Sequence, residues 1–203
     1  MGEGWSDYFT LMYTQDWANS NLNTGFTSPR GIGTFASGQT VNGSGIRNRR
    51  YTTNFAINNL TYSTFVSSQQ HTRGELWCAT LWDMTWNIIN QVGVINPNFT
   101  NPNAPGGNSI AMRLVMEGMK LQQCNPGFIS GRDAILAADQ ILFNGAYQCS
   151  IWEAFRRRGM GFYANEGSTD DVNDQTPDNS YPVYLSLSQG GVTEVEEGQL
   201  ITY

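Results

Sequence analysis

Leu76-Trp77-Cys78-Ala79-Thr80-Leu81-Trp82-Asp83-Met84-Thr85-Trp86-Asn87-Ile88-Ile89-Asn90-Gln91-Val92-Gly93 decides the architecture. Leu76, Trp77, Thr80, Leu81, Met84 and Ile88 recur at the three- and four-residue steps of one helix face, and Gly93 supplies the stop. Upstream, residues 20–60 lose this rhythm. Gly, Asn, Ser and Thr dominate there, as in Ser28-Pro29-Arg30-Gly31 and Asn42-Gly43-Ser44-Gly45. A loop of that length in a compact domain is uncommon and often functional. Before it, Trp5, Tyr8, Phe9, Met12 and Tyr13 mark a first helix that fades near Trp17-Ala18-Asn19.

Downstream, Pro97 and Asn101-Pro102-Asn103-Ala104-Pro105-Gly106-Gly107 make a turn-rich connection. A third helix starts around Asn108-Ser109 and points Ile110, Leu114, Val115 and Met119 inward. A fourth runs from Ser130 or Arg132 to Phe143, with Gly145 as its stop. A fifth carries Cys149, Trp152 and Phe155 and ends at Gly159. The expected fold class is mainly α, a helical bundle with a long irregular loop over about 20–60. Residues 1–165 form the helical lobe and 166–180 an acidic linker. Residues 182–187 alternate like a strand, and the tail 181–203 is expected to begin a truncated β domain.

Composition narrows the function. The chain has 203 residues, the size of one ordinary domain, and 39% of them are hydrophobic, with six Trp and nine Tyr to fill a core. Only 14% are charged, against about a quarter in average soluble proteins. That balance leans toward secreted proteins. A net charge of -6 argues against nucleic acid, which needs clustered cations. The one basic run, Arg156-Arg157-Arg158, falls near a helix end, where the helix dipole favours cations. No stretch approaches the roughly twenty apolar residues of a membrane span. Met1-Gly2-Glu3-Gly4 runs straight into a patterned helix with no signal peptide, so either the protein is cytosolic or, the favoured expectation, its natural N-terminus lies elsewhere. Three cysteines allow one pair and one left over. A Cys124–Cys149 bond would close a loop of about 25 residues and contribute on the order of 3 kcal/mol; two unpaired thiols are the alternative.

Two segments carry chemistry. In Gly2-Glu3-Gly4-Trp5-Ser6-Asp7, two carboxylates stand four apart on one helix face and repel unless a cation or a histidine lies between them. Gln69-Gln70-His71-Thr72-Arg73-Gly74-Glu75 holds the one histidine of the chain, at a helix start. By themselves these are two solvated acids and a lone histidine. One histidine with scattered carboxylates does not make a closed zinc site.

Gly2-Glu3-Gly4-Trp5-Ser6-Asp7-Tyr8-Phe9 resembles the GEGWSD(F/Y) segment of fungalysin-type metallopeptidases. The likeness continues, in order, through Gly45-Ile46-Arg47, Tyr51-Thr52-Thr53-Asn54, the His71–Ala79 segment, Arg132-Asp133-Ala134-Ile135-Leu136-Ala137-Ala138-Asp139 and Trp152-Glu153-Ala154-Phe155-Arg156-Arg157-Arg158-Gly159-Met160-Gly161, and so covers about 1–165.

The resemblance implies a secreted zinc endopeptidase with a lobe like the C-terminal subdomain of thermolysin, acting on protein or peptide substrates. It makes Glu3 the third zinc ligand. Asp7 becomes the acid that orients a zinc histidine, and His71 the donor to the tetrahedral oxyanion. Arg47 is a weaker candidate for holding the substrate carbonyl, with Arg50 as rival and a structural ion pair as the alternative. Arg73 and Glu75 brace the helix start, Cys78 is a buried thiol, and Cys124 pairs with Cys149. The departure is as informative: HExxH, with its two histidines and its base, is absent. The chain as given is therefore expected to be inactive, with its Zn²⁺ site completed by an N-terminal half outside it. A calcium site at Asp170, Asp171 and Asp174 lacks regular ligand spacing. The competing readings are a non-catalytic helical module binding peptides or glycans, and an inactive relative that inhibits or chaperones an active peptidase.

Overall fold

The computed structural model describes residues 1–64, 69–98, 101, 104–168, 171 and 173–183. Among them lie helices α1 (Gly2–Thr14), α2 (Thr24–Thr27), α3 (Gln70–Val92), α4 (Gly107–Leu121), α5 (Phe128–Phe143) and α6 (Gln148–Arg157), with a 3-10 turn at Tyr62–Thr64. Among the described residues there is no strand beyond isolated bridges, of which Arg30 to Tyr51 matters most below. The fold is mainly helical. Among the described residues no helix is long and apolar enough to cross a membrane.

The helix that holds Leu76 to Val92 is the centre of the molecule. α1, α4 and α6 pack on α3, and α5 closes against α4 and α6. From Gly74 to Ile89, α3 is buried at every position except Asn87, so its apolar surface runs all the way round. Trp82 and Trp86 meet edge to face and both pack on Trp17, which lies beyond the end of α1. The buried threonines of α3 are satisfied locally: Thr80 and Thr85 return their hydroxyls to Leu76 and Leu81, and Thr85 also meets Tyr8 Oη at 3.0 Å. Gly93 ends the helix in the left-handed region, φ 74°.

Several expectations need correcting. Tyr13 is 65% exposed and Leu11 takes the inward place; Tyr13 stands about 100° past Met12, off the buried arc. Met119 is also exposed, and Gly118 faces α5, where a Cβ would come within 2.8 Å of Ile135. The stop of α5 is made by Asn144 (φ 53°) ahead of Gly145. Arg156 and Arg157 sit in the last turn of α6 as the dipole favours. Arg158 does not stay in solvent: it is fully buried, donating from Nε to Asp83 Oδ2 at 2.8 Å. Cys78 is a buried thiol, but Cys124 and Cys149 are both free and exposed, so the expected disulfide is not formed. They flank the two ends of α5, and 16 helical residues span about 24 Å, whereas a disulfide needs Cα atoms within about 7 Å.

Described residues of the acidic segment turn back on the body. Gly161 N–H donates to the Asp178 carbonyl, Asn165 pairs with Thr176, and Glu166 caps α5 by accepting from Ser130 N–H. Asp170 and residues 184–203, with most of the expected strand and tail, lie outside the described residues.

Candidate active site

Helices α1 and α3 meet with their backbones in contact. A Cβ on Gly4 would lie 2.6 Å from the Gly74 carbonyl oxygen, and one on Gly74 would lie 2.6 Å from Glu3 Cβ and 2.8 Å from Gly4 N. Only glycine at both positions permits this approach. It sets the first turn of α1 beside the first turn of α3, so Glu3 faces His71, with Oε2 3.0 Å from Nδ1.

The long loop adds the third member. Arg47 reaches both acids: Nε and Nη2 grip Asp7 as a fork at 2.8 and 2.9 Å, and Nη2 also donates to Glu3 Oε2 at 3.0 Å. Its Nη1 stands 3.2 Å from His71 Nδ1. The cation demanded by two carboxylates one turn apart is thus a loop arginine. The two acids hold the guanidinium more firmly protonated than usual. In turn Arg47, and after it His71, lowers the pKa of Glu3. His71 Nδ1 cannot serve both neighbours at once, since it must accept from Arg47 or donate to Glu3. Its tautomer therefore reports which contact is made.

Beneath these groups the side chains are buried. Asp7 is nearly fully buried and also accepts from the buried Tyr51 hydroxyl at 2.6 Å. Glu75, in the second turn of α3, accepts from the backbone N–H and the side-chain amide of Asn48 at 2.9 and 3.1 Å. Burial raises the pKa of Glu75, and its Oε2 makes no hydrogen bond. Glu3, Asp7, His71 and Arg47 are therefore brought together, whereas Cys124 and Cys149 stand elsewhere. Arg50 instead offers its carbonyl to Asn58. Tyr51 and Asn48 carried no role on sequence, although Tyr51 lies in a stretch that matched the family pattern.

Residues 1–164 match the sequence profile described as fungalysin metallopeptidase (M36). The chain belongs to the fungalysin metallopeptidase family. This fungalysin chain is 36% identical over 189 residues to extracellular metalloproteinase 3 of Trichophyton rubrum, covering 90% of this chain and 28% of the relative. The corresponding protein of Trichophyton soudanense is 37% identical over 186 residues, covering 88% and 44%. The chain thus spans less than half the length of these curated relatives.

Among the described residues no group of three or more His, Cys, Asp or Glu side chains is placed to hold a metal ion. Asp7 is engaged by Arg47 and Tyr51, which leaves the Glu3 carboxylate as the available donor. A protein zinc site takes three or four ligands. These residues fit one corner of such a site and no more.

Proposed function

We propose that this chain is the helical lobe of a secreted zinc-dependent endopeptidase, forming one wall of its cleft and supplying Glu3 as a single zinc ligand. The observation that carries this reading is the convergence of Glu3, Asp7, Arg47 and His71 from three separate segments onto one spot, each within hydrogen-bond reach of a neighbour. Zinc, when bound, supplies a polarised water at neutral pH. The two HExxH histidines and the base that deprotonates the water come from outside these 203 residues, so the chain alone hydrolyses nothing.

The chain's own residues have the following roles. Asp7 spends Oδ2 on Tyr51 and Arg47 and one site of Oδ1 on Arg47; the remaining lone pair of Oδ1 orients a zinc histidine through its N–H. Arg47 donates to the carbonyl of the scissile peptide. His71, with Nδ1 engaged inside the cluster, presents Nε2–H to the oxyanion as charge develops there. The extracellular setting of the named relatives supports secretion, and their metalloproteinase activity supports protein substrates.

Calorimetric zinc titration tests the reading, on this chain and on a longer protein that includes the HExxH helix. Tight binding is expected in the longer form alone and is lost with Glu3→Ala. Tight binding by the short chain, or a longer form indifferent to Glu3→Ala, refutes it.

A further inference from the structure

The loop that carries Arg47 is pinned on both sides of it. Ile46 N–H donates to the Ile32 carbonyl at 2.8 Å, and Tyr51 exchanges both backbone hydrogen bonds with Arg30 at 2.7 and 2.9 Å. Between these, Asn48 is held by Glu75 through two donors on one carboxylate oxygen, and the Tyr51 hydroxyl reaches Asp7 Oδ2, the same oxygen that accepts from Arg47 Nε. Both Tyr51 and Glu75 are buried. We propose that Tyr51 and Glu75 are positioning residues: Tyr51 locks the Asp7 carboxylate from below, Glu75 locks the backbone next to Arg47, and together they aim one guanidinium across the cleft.

This deepens the peptidase reading and rests on it for its consequence, though the brace itself is a property of the chain. A long arginine has many rotamers, and ordering it costs up to about 2 kcal/mol in side-chain entropy. A carboxylate fixed by a second donor, on a backbone fixed one residue away, makes that cost part of folding instead of substrate binding. Glu75 acts here purely as an acceptor. Both hydrogen bonds converge on Oε1 while Oε2 has none, so an amide oxygen does the same work. Tyr51 donates its hydroxyl to Asp7, with the buried Cys78 thiol as a further neighbour of that hydroxyl.

Arginine Nε–H resonances of the 203-residue chain, labelled with nitrogen-15, give a direct readout; Arg47→Lys identifies the Arg47 signal by deleting it. With Tyr51→Phe the ring still fills its buried site, and exchange of Arg47 Nε–H with solvent is expected to rise on the order of tenfold, the factor one net hydrogen bond provides. Glu75→Ala does the same, whereas Glu75→Gln restores the wild-type rate. A lower melting temperature with unchanged exchange in Tyr51→Phe, or Glu75→Gln behaving like Glu75→Ala, overturns the proposal. In the longer peptidase, assayed at saturating zinc, Tyr51→Phe and Glu75→Ala should both lower kcat/KM, and Glu75→Gln should restore it. If exchange responds but the longer protein, zinc-loaded, cleaves no peptide, the peptidase reading fails and the brace stands.

Discussion

Arg47, proposed to face substrate, is held by three neighbours, Asp7, Glu3 and His71. Its guanidinium bridges two carboxylates that stand one turn apart, one of them buried. Removing one partner of a buried, hydrogen-bonded ion pair costs about 3–5 kcal/mol, because the other charge is left behind. Arg47→Ala should therefore lower the unfolding free energy by about 3 kcal/mol in urea titration. Adding Asp7→Asn should recover part of it, since the buried charge is gone; a second decrease of equal size would contradict the account. Glu75 carries the pH argument. Burial raises its folded pKa, so between the unfolded value, about 4.3, and the raised one the native state binds more protons than the unfolded chain. Stability from this residue is full below the unfolded pKa and falls as pH rises through the folded pKa. Glu75→Gln has no such decline. Its stability relative to wild type should grow as pH rises above the unfolded value and level off once the raised folded pKa is passed, which thermal melts at a series of pH values check.

At the scale of elements, the Gly4–Gly74 crossing sets the cluster. Gly74→Ala improves helix propensity by about 1 kcal/mol, yet its Cβ meets Glu3 Cβ and Gly4 N at 2.6 and 2.8 Å, and backbone cannot yield as a side-chain tip does. Net destabilisation of about 1–3 kcal/mol is expected, with α1 pushed away and the Glu3 carboxylate carried out of reach of His71. A melting temperature at or above wild type would show that the helices are not in backbone contact. Helix existence was legible in the sequence because it depends on local periodicity, and the family motifs singled out Glu3, Asp7, His71 and Arg47. What periodicity cannot carry is which faces are covered. α3 showed one apolar stripe and is buried all round, because Trp82, Asp83 and Trp86 find partners at Trp17, just past α1, and at the end of α6. Arg158 read as one of three cations at a helix end, since nothing within a helical turn of it betrays Asp83, 75 residues away. The Cys124–Cys149 pairing failed for a related reason: it came from spacing and family likeness, and neither measures the length of α5 between them.

Across the whole molecule, the Asp83–Arg158 pair joins the parts that hold the loop in place. Asp83 belongs to the central helix, while Arg158 follows α6 and donates to the carbonyls of Asn58 and Leu60. Arg157 beside it donates to the Thr53 carbonyl, and both guanidinium groups face Phe55. The C-terminal end of the helical body is thereby tied to the stretch that leads from Tyr51 to His71. Burial still disfavours the Asp83 carboxylate despite Arg158, and Asp83 Oδ1 and Arg158 Nη2 are buried without hydrogen bonds. The pair therefore gives location more than net stability. Asp83→Ala, which strands the cation, should cost about 3–5 kcal/mol, whereas Asp83→Leu combined with Arg158→Met should cost much less. The two should part company in hydrogen exchange. If the pair serves to dock the loop, the apolar double variant recovers global stability, yet the amides of Asn58 and Tyr62, the latter bonded to the Arg158 carbonyl, exchange faster than in wild type. Wild-type protection there, in a double variant of wild-type stability, would mean that apolar packing alone holds the loop in place and that the ion pair is dispensable.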